Sequence, residues 1–424
     1  MREELTVLGQ RPFRRLFLSR ALQLLGSSLA PIALAFAVLA MPGGSATTLG
    51  LVLFARSAAQ VLLLLFGGVI ADRLPRARVM VIANVLAFVS QAGMALVLAA
   101  QTGGVPALCA LATLNGASTA LFLPAAAGIL PQVVTRDRLQ AANALIRLSR
   151  SAATVGGAGL AGVLVSAFGA DRALAVSAVL FALSTLSLRG VVTRAPAART
   201  SAPGMLTDLR DGWREFTSRR WIWQVVLQFS VLNACFNGGI YVLGPVVADD
   251  RLGGAAAWSV IVTAQAVGFV AGGLVAMRIR PRFPMRTATL ATFGFVPPFL
   301  LLALGAPVWL IALSTLVNGV CADIFEVLWS TELQQHVPQE ALSRVSSYDA
   351  LGSFVLGPLG LALVGPVSAV VGVERTLAAC AVLALLVNTA TLLSRSVRDL
   401  PARPAAPDPA PASAPAPSGE ARSA

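Results

Sequence analysis

The sequence predicts an all-α membrane protein, with twelve transmembrane helices in two pseudo-symmetric six-helix bundles. Three observations carry this. Only 12% of the 424 residues are charged and 56% are hydrophobic, whereas a soluble domain is about 25% charged. Twelve continuous apolar runs occur, and a span needs about 20 such residues. Arginine collects in every second connection between those runs. The runs are long and unbroken rather than short and alternating, so helices are expected and not a β-barrel.

Taken in order, the charged segment MREELTVLGQRPFRRLF leads straight into the first run, 17–39, and does not read as a cleavable signal. Runs 2 to 6 cover 47–71, 79–101, 104–128, 147–169 and 172–190. Runs 7 to 12 cover 222–247, 256–277, 287–305, 308–331, 346–371 and 374–394. These divide the chain into an N-terminal bundle (1–189), a polar linker (190–220), a C-terminal bundle (221–398) and a tail (399–424). Within the linker, TDLRDGWREF at Thr207–Phe216 mixes charges with aromatics and predicts a short amphipathic helix on the membrane surface. The tail is rich in Pro and Ala and cannot bury a core.

The net charge of +13 does not point to nucleic acid, because the arginines are not gathered on one segment. They precede run 1 (Arg2, Arg11, Arg14, Arg15, Arg20) and follow runs 2, 4, 6, 8, 10 and 12. The intervening connections hold only Arg172, Arg251 and Arg375. This asymmetry is the positive-inside pattern, and it predicts both termini in the cytoplasm of a cell-membrane protein, hence an even number of spans. The four cysteines, Cys109, Cys235, Cys321 and Cys380, all fall within apolar runs and read as small buried residues.

The two halves echo each other. Asn115-Gly116 recurs as Asn318-Gly319, Gln60 as Gln265, Gly67-Gly68 as Gly272-Gly273 and Arg73 as Arg278. Repeated halves that meet at a central site are a common plan among transporters.

Four groups of residues could carry function. The first is a gating loop, GGVIADRLPRAR, with Gly68, Asp72, Arg73, Arg76 and Arg78. Glycines permit close helix approach, and Asp72 can accept from a helix N-terminus or pair with an arginine. Such a latch can hold in one conformation and break in another. Met277 stands at the equivalent of Asp72 in the second half, so the latch is asymmetric. The second is Asp323 and Glu326 in run 10, three residues apart and so expected on one helix face. A charge at mid-bilayer costs about 2.5–3.5 kcal/mol on insertion scales. The two carboxyls therefore need a cavity, a partner or a proton, which suits proton coupling or a cationic substrate. A structural ion pair is the plain alternative, and Glu332, nearer the end of the run, reads as structural. The third is Arg56, the one arginine well inside a run. It could pair with Asp323 or Glu326, bind an anionic group, or snorkel to the interface.

The fourth group comprises polar residues that could line a cavity or join helices: Gln23, Gln60, Asn115, Gln228, Asn233, Asn237, Gln265 and Asn318. Run 7, with Gln228, Asn233, Asn237 and Gly238-Gly239, is the most polar and the one expected to be broken or flexible. The sole histidine, His336, reads as structural. A phosphate-gripping loop is absent and the chain has no lysine at all. Neither a metal-ligand cluster nor a nucleophile–base set appears, so no cofactor, no metal and no enzymatic activity are expected.

The chain resembles the major facilitator superfamily over roughly residues 11 to 398, and within it the drug:proton antiporter branch of macrolide-efflux and enterobactin-exporter proteins. The carriers are RPFRRLFLSR before run 1, GGVIADR around Asp72, DLRDGWREF before run 7 and VPQEALSRVSS between runs 10 and 11. The resemblance implies the major facilitator fold, a monomer, and rocker-switch export of a small drug-like or siderophore-like molecule against proton entry. An importer or facilitator of the same fold, or a ligand-binding membrane protein that does not transport, are the alternatives. Departures bear on coupling. Leu25-Gly26-Ser27-Ser28 lacks the acid common after the glycine of run 1, Asn115 stands nearest the position where many antiporters carry an arginine in run 4, and Gly157-Ala158 replaces a Gly-Pro that is intact as Gly357-Pro358 in run 11. Any coupling role moves towards Asp323 and Glu326.

Overall fold

The computed structural model describes residues 9–135, 138–191 and 213–402, with the side chains of 65–69, 71–72, 339–340 and 343–344 left aside. Among the described residues twelve helices are long and apolar enough to cross a membrane. They are α1 (Arg11–Leu39), α2 (Ala46–Arg73), α3 (Arg76–Ala99), α4 (Gly104–Val133), α5 (Leu139–Phe168) and α6 (Ala170–Ser187). The second set is α7 (Arg220–Leu252), α8 (Gly254–Ala276), α9 (Pro284–Ala303), α10 (Val308–His336), α11 (Gln339–Val371, in two segments) and α12 (Val373–Leu393). There is no strand among the described residues.

The connections follow from local chemistry. Ser45 caps α2 through a capping box with Thr48, which satisfies two donors that the first turn leaves free. Gly169 turns α5 into α6 and Gly372 turns α11 into α12, each as a single residue. Both have φ near +95° (95° and 94°) with extended ψ, a region open almost only to glycine. The repeat thus extends to backbone conformation.

Three helices are irregular where their sequence requires it. In α7, π-helical segments occupy Asn237–Leu243 and Ala248–Leu252, and the helix continues through the polar, Gly-rich stretch without a break. Gly238 and Gly239 lie so close to Gly360 of α11 and Phe299 of α9 that a Cβ would come within 2.8 and 2.7 Å of them. In α9, a 3-10 turn at Thr292–Phe295 precedes Pro297-Pro298, whose missing N–H groups break the α-helical ladder. In α11, the helix ends at Phe354 and resumes at Gly357-Pro358.

Helices α1–α6 pack mainly on one another, as do α7–α12, and the two sets meet mostly through α5 with α8 and α2 with α11. Those meetings lie at the end of the bundle away from the termini. A Cβ on Gly50 would reach the Leu361 carbonyl at 2.4 Å, and one on Gly365 the Thr47 Cα at 2.4 Å, while Gly162 abuts Ser259. The buried core follows the same division. One continuous apolar cluster joins both halves at this end, running from Leu29 and Phe36 to Phe236, Trp258 and Leu361. At the end that carries the termini, each half has its own core, around Phe13, Met80 and Ile129 in one and Trp221, Met285 and Phe325 in the other. The molecule is clasped at one end and parted at the other.

The described end of the linker is helical and packs on the C-terminal half. Residues 213–218 form the helix, Phe216 is buried in the C-terminal core, and Trp213 and Phe216 both pack on Tyr348 of α11. An aromatic contact with the bundle therefore anchors this end of the linker. Residues 207–212 lie outside the described residues, as does the tail from 403.

Candidate functional site

Three cavities carry polar or charged candidates on their walls. The central one, ≈370 Å³, lies between the halves and is walled by α1, α2 and α5 on one side and α7, α8 and α11 on the other. Arg56, Gln60, Asn237, Tyr241 and Trp258 face it. Its position follows from the clasp. Gly50 sits between one and two turns above Arg56 on α2, so the close α2–α11 contact closes the cavity on that side.

Behind Arg56, within the N-terminal half, is a polar pocket of ≈10 Å³ walled by Gln23, Asn84, Gln91 and Asn115, room for about one water. Arg56 is common to both cavities. Its Nε is buried without a hydrogen-bond partner, and so are Oε1 of Gln23 and of Gln91. The expectation of a pair between Arg56 and Asp323 or Glu326 is not met: no ion pair of Arg56 occurs among the described residues. Asp323 and Glu326 lie in the other half.

The third cavity, ≈190 Å³, is in the C-terminal half between α7, α10 and α11, lined by Phe229, Phe325, Glu326, Trp329, Asp349 and Ser353. Phe229 and Phe325 stack at 4.9 Å, 9° from parallel. Trp329 Nε1 donates to Asp349 Oδ2 at 3.1 Å, and Ser353 Oγ to Asp349 Oδ1 at 3.2 Å. Asp323 and Glu326 lie within electrostatic reach of each other, but their surroundings differ. Residues three apart on a helix are rotated by about 60°. Glu326 opens to this cleft, while Asp323 turns to α8, where a Cβ on Gly273 would lie 2.9 Å from its Oδ2. The acid facing the cleft with Glu326 is Asp349. Sequence reasoning passed over it, although one acid in the run VSSYDALGSF at the start of an apolar span is a visible signal.

The remaining candidates divide between lining and joining. Gln23 and Asn115 line the small polar pocket, and Gln60 and Asn237 the central cavity. Asn237 also donates to the Asn233 carbonyl at 2.8 Å. Gln228 donates to Thr292 Oγ1 at 2.9 Å and Asn388 Oδ1 at 2.7 Å, which ties α7 to α9 and α12. Asn233 donates to the Ser353 carbonyl at 3.1 Å, and Gln265 to Asn318 Oδ1 at 2.9 Å. Of these four, Gln228, Asn233, Gln265 and Asn318 join helices and do not face the central cavity. The repeat is thus functionally uneven: Gln265 and Asn318 bond each other, while their counterparts Gln60 and Asn115 face cavities.

At the end with the termini, Arg76 donates to the Gly128 carbonyl of α4, Arg15 to the Arg189 carbonyl at 2.9 Å, and Arg20 to the Ala126 carbonyl at 2.8 Å. These arginines hold the N-terminal half together. Arg73 and Arg78 are exposed. Gly68 and Asp72 lie in α2, but their side-chain environment is outside the described residues, so the latch rests on its sequence. His336 packs on Trp221 with ring centroids 5.9 Å apart and meets Glu332 at 3.2 Å, a structural setting for both.

Residues 16–361 match the family model described as Major Facilitator Superfamily. Among curated relatives, the enterobactin exporter EntS of Escherichia coli is 26% identical over 380 residues, covering 86% of this chain and 89% of that protein. The enterobactin exporter EntS of Citrobacter koseri is 27% identical with the same coverage. Among solved structures, a bacterial homologue of the iron transporter ferroportin in an inward-facing state has a TM-score of 0.71 at 18% identity, covering 91% of this chain and 98% of that one. The nucleoside transporter NupG has a TM-score of 0.71 at 17% identity, covering 90% and 98%. At those identities the structural likenesses speak to fold alone. With the family match running over most of its length, and twelve spans clasped in two sets around a central cavity, the chain belongs to the major facilitator superfamily.

Proposed function

We propose that this transporter exports a small organic molecule by alternating access, and that protons drive the cycle. The observation that carries the reading is the split core: one apolar cluster shared by both halves at one end, and separate cores at the other. Two bodies joined in that way can rock about a cavity between them. The arginine pattern supports a cytoplasmic position for the parted end, which in this reading faces inward, ready to load cargo from the cell. Export as the direction is supported by the similarity to enterobactin exporters over 86% of the chain.

Coupling is assigned to the carboxyls of the C-terminal half. Glu326 opens to the aromatic cleft opposite Asp349, whose carboxylate is held by Trp329 and Ser353. Asp323, one turn away, touches α8. A carboxyl that can reach water in one state and lose it in the other can carry a proton across the cycle. The test uses everted vesicles, a fluorescent efflux substrate and an imposed proton gradient. Asp323→Asn combined with Glu326→Gln is expected to abolish uphill export while leaving downhill exchange. If uphill export persists in the double variant and still collapses with an uncoupler, these carboxyls are not the proton site.

A further inference from the structure

The geometry points to the central cavity as a binding site for an organic anion, with Arg56 as the group that holds its negative charge. The inference deepens the transport reading and rests on it for the cavity's role as a cargo site.

Arg56 is the eleventh residue of α2, about 15 Å below its outer end at 1.5 Å per residue. That is near the middle of a ~30 Å hydrocarbon core. Snorkelling is closed to it, because the α2–α11 clasp at Gly50 and Leu361 lies between the side chain and the outer surface. A charge at that depth is ordinarily matched by a carboxylate or a ring of carbonyls. Among the described residues neither is present. Its Nε is buried and unpartnered, no carboxylate among the described residues lines either cavity that it touches, and the other polar groups on the walls are amides, hydroxyls and aromatic N–H or O–H groups set among aliphatic side chains. Three carboxyls of the C-terminal half face elsewhere: Asp323 faces α8, and Glu326 and Asp349 face their own cleft. An uncompensated cation in a cavity that opens to the inside draws an anion into it, and the low dielectric there strengthens the attraction.

The other walls define the rest of the ligand. Tyr241, Trp258 and Pro245 give the C-terminal side an apolar, aromatic surface, and Gln60, Ser57 and Asn237 add neutral hydrogen-bonding groups. At ≈370 Å³ the space is in the range of small-molecule sites, which run about 300–1,000 Å³. The site therefore suits an anion carried on a flat or aromatic body. An organic cation, common among exported drugs, would meet Arg56 as a like charge.

The probe set is naphthalenesulfonate, the neutral naphthalenesulfonamide and the cationic naphthylmethylammonium, which share one ring system. Binding is measured to the full chain in lipid nanodiscs by titration calorimetry, against empty nanodiscs. The native protein is expected to bind the sulfonate roughly tenfold or more tighter than the sulfonamide, the scale of a charge-assisted hydrogen bond in place of a neutral one, and the ammonium weakest. Arg56→Gln is expected to remove the preference and Arg56→Lys to retain part of it. Where Arg56→Gln fails to insert, Ser57→Asp serves: a carboxylate beside Arg56 supplies the missing counter-charge and is expected to abolish the preference. Equal binding of sulfonate and sulfonamide by the native protein overturns the inference, and so does an undiminished preference in Arg56→Gln or Ser57→Asp. Vesicle export is a separate readout. Transport without a charge preference refutes the anion site alone, and a charge preference without transport supports the site while refuting the exporter.

Discussion

Gly50→Ala tests whether the clasp is the element that switches. The added methyl would lie 2.4 Å from the Leu361 carbonyl oxygen, with the rest of the Leu361 carbonyl at 3.5 Å. A carbon meets a carbonyl oxygen comfortably at about 3.3–3.6 Å, so α2 and α11 must separate by about 1 Å. The obstacle is backbone, which cannot swing aside as a side chain would. Overpacking of this kind costs about 1–3 kcal/mol. Alanine also favours the helix over glycine by up to ~1 kcal/mol, but that gain is the same in both conformations and cancels from their equilibrium. The cost falls only on the clasped state, so the population should move by roughly 5–150-fold towards the state parted at this end. The assay is the distance between spin labels at Thr102 and Trp309, two exposed positions at the clasped end on opposite halves, in a cysteine-free background. Gly156→Ala is the control, because a Cβ there meets nothing within 4 Å. The distribution should lengthen in Gly50→Ala and stay put in Gly156→Ala. An unchanged distribution in Gly50→Ala, with the protein folded, would refute the assignment of the clasp as the moving contact.

Two further outcomes are expected. Gln228→Leu should lower the stability of the C-terminal half by about 1–2 kcal/mol, since two interhelical hydrogen bonds in a membrane average about 0.6 kcal/mol each and leave Asn388 short of a partner. Reversible unfolding in bicelles measures this, and a transport defect at native stability would show that Gln228 touches cargo after all. Asp72→Asn should impair transport severalfold while membrane levels hold, and normal transport by that variant would remove the latch.

The parts of the candidate site that were legible in the sequence are those that a single helix displays. Arg56, Asp323 and Glu326 stand out because a charge inside an apolar run is costly wherever the helix packs. Their partners were not legible. The pairing of Arg56 with an acid failed because the residues lie in different halves, and the surroundings of Asp323 and Glu326 differ because two neighbouring helices take up adjacent sides of α10. Asp349 was missed because its significance comes from α10 and α7, distant in sequence. The same holds for Gln228, Asn233, Gln265 and Asn318. An amide in a span looks alike whether it lines a cavity or bonds a neighbour.

What the sequence determined by itself is the number of spans, their helical form and the kinship of the halves. Those follow from run length, continuity and spaced repeats such as Asn115-Gly116 with Asn318-Gly319, and each is set by the cost of putting backbone and charge into hydrocarbon. Only the tertiary structure decided which end is clasped, which polar groups face the central cavity and that Arg56 has no counter-charge there among the described residues. Those depend on how small residues at Gly50, Gly162 and Gly365 let distant helices approach, and close approach is a property of two surfaces together, not of either run alone.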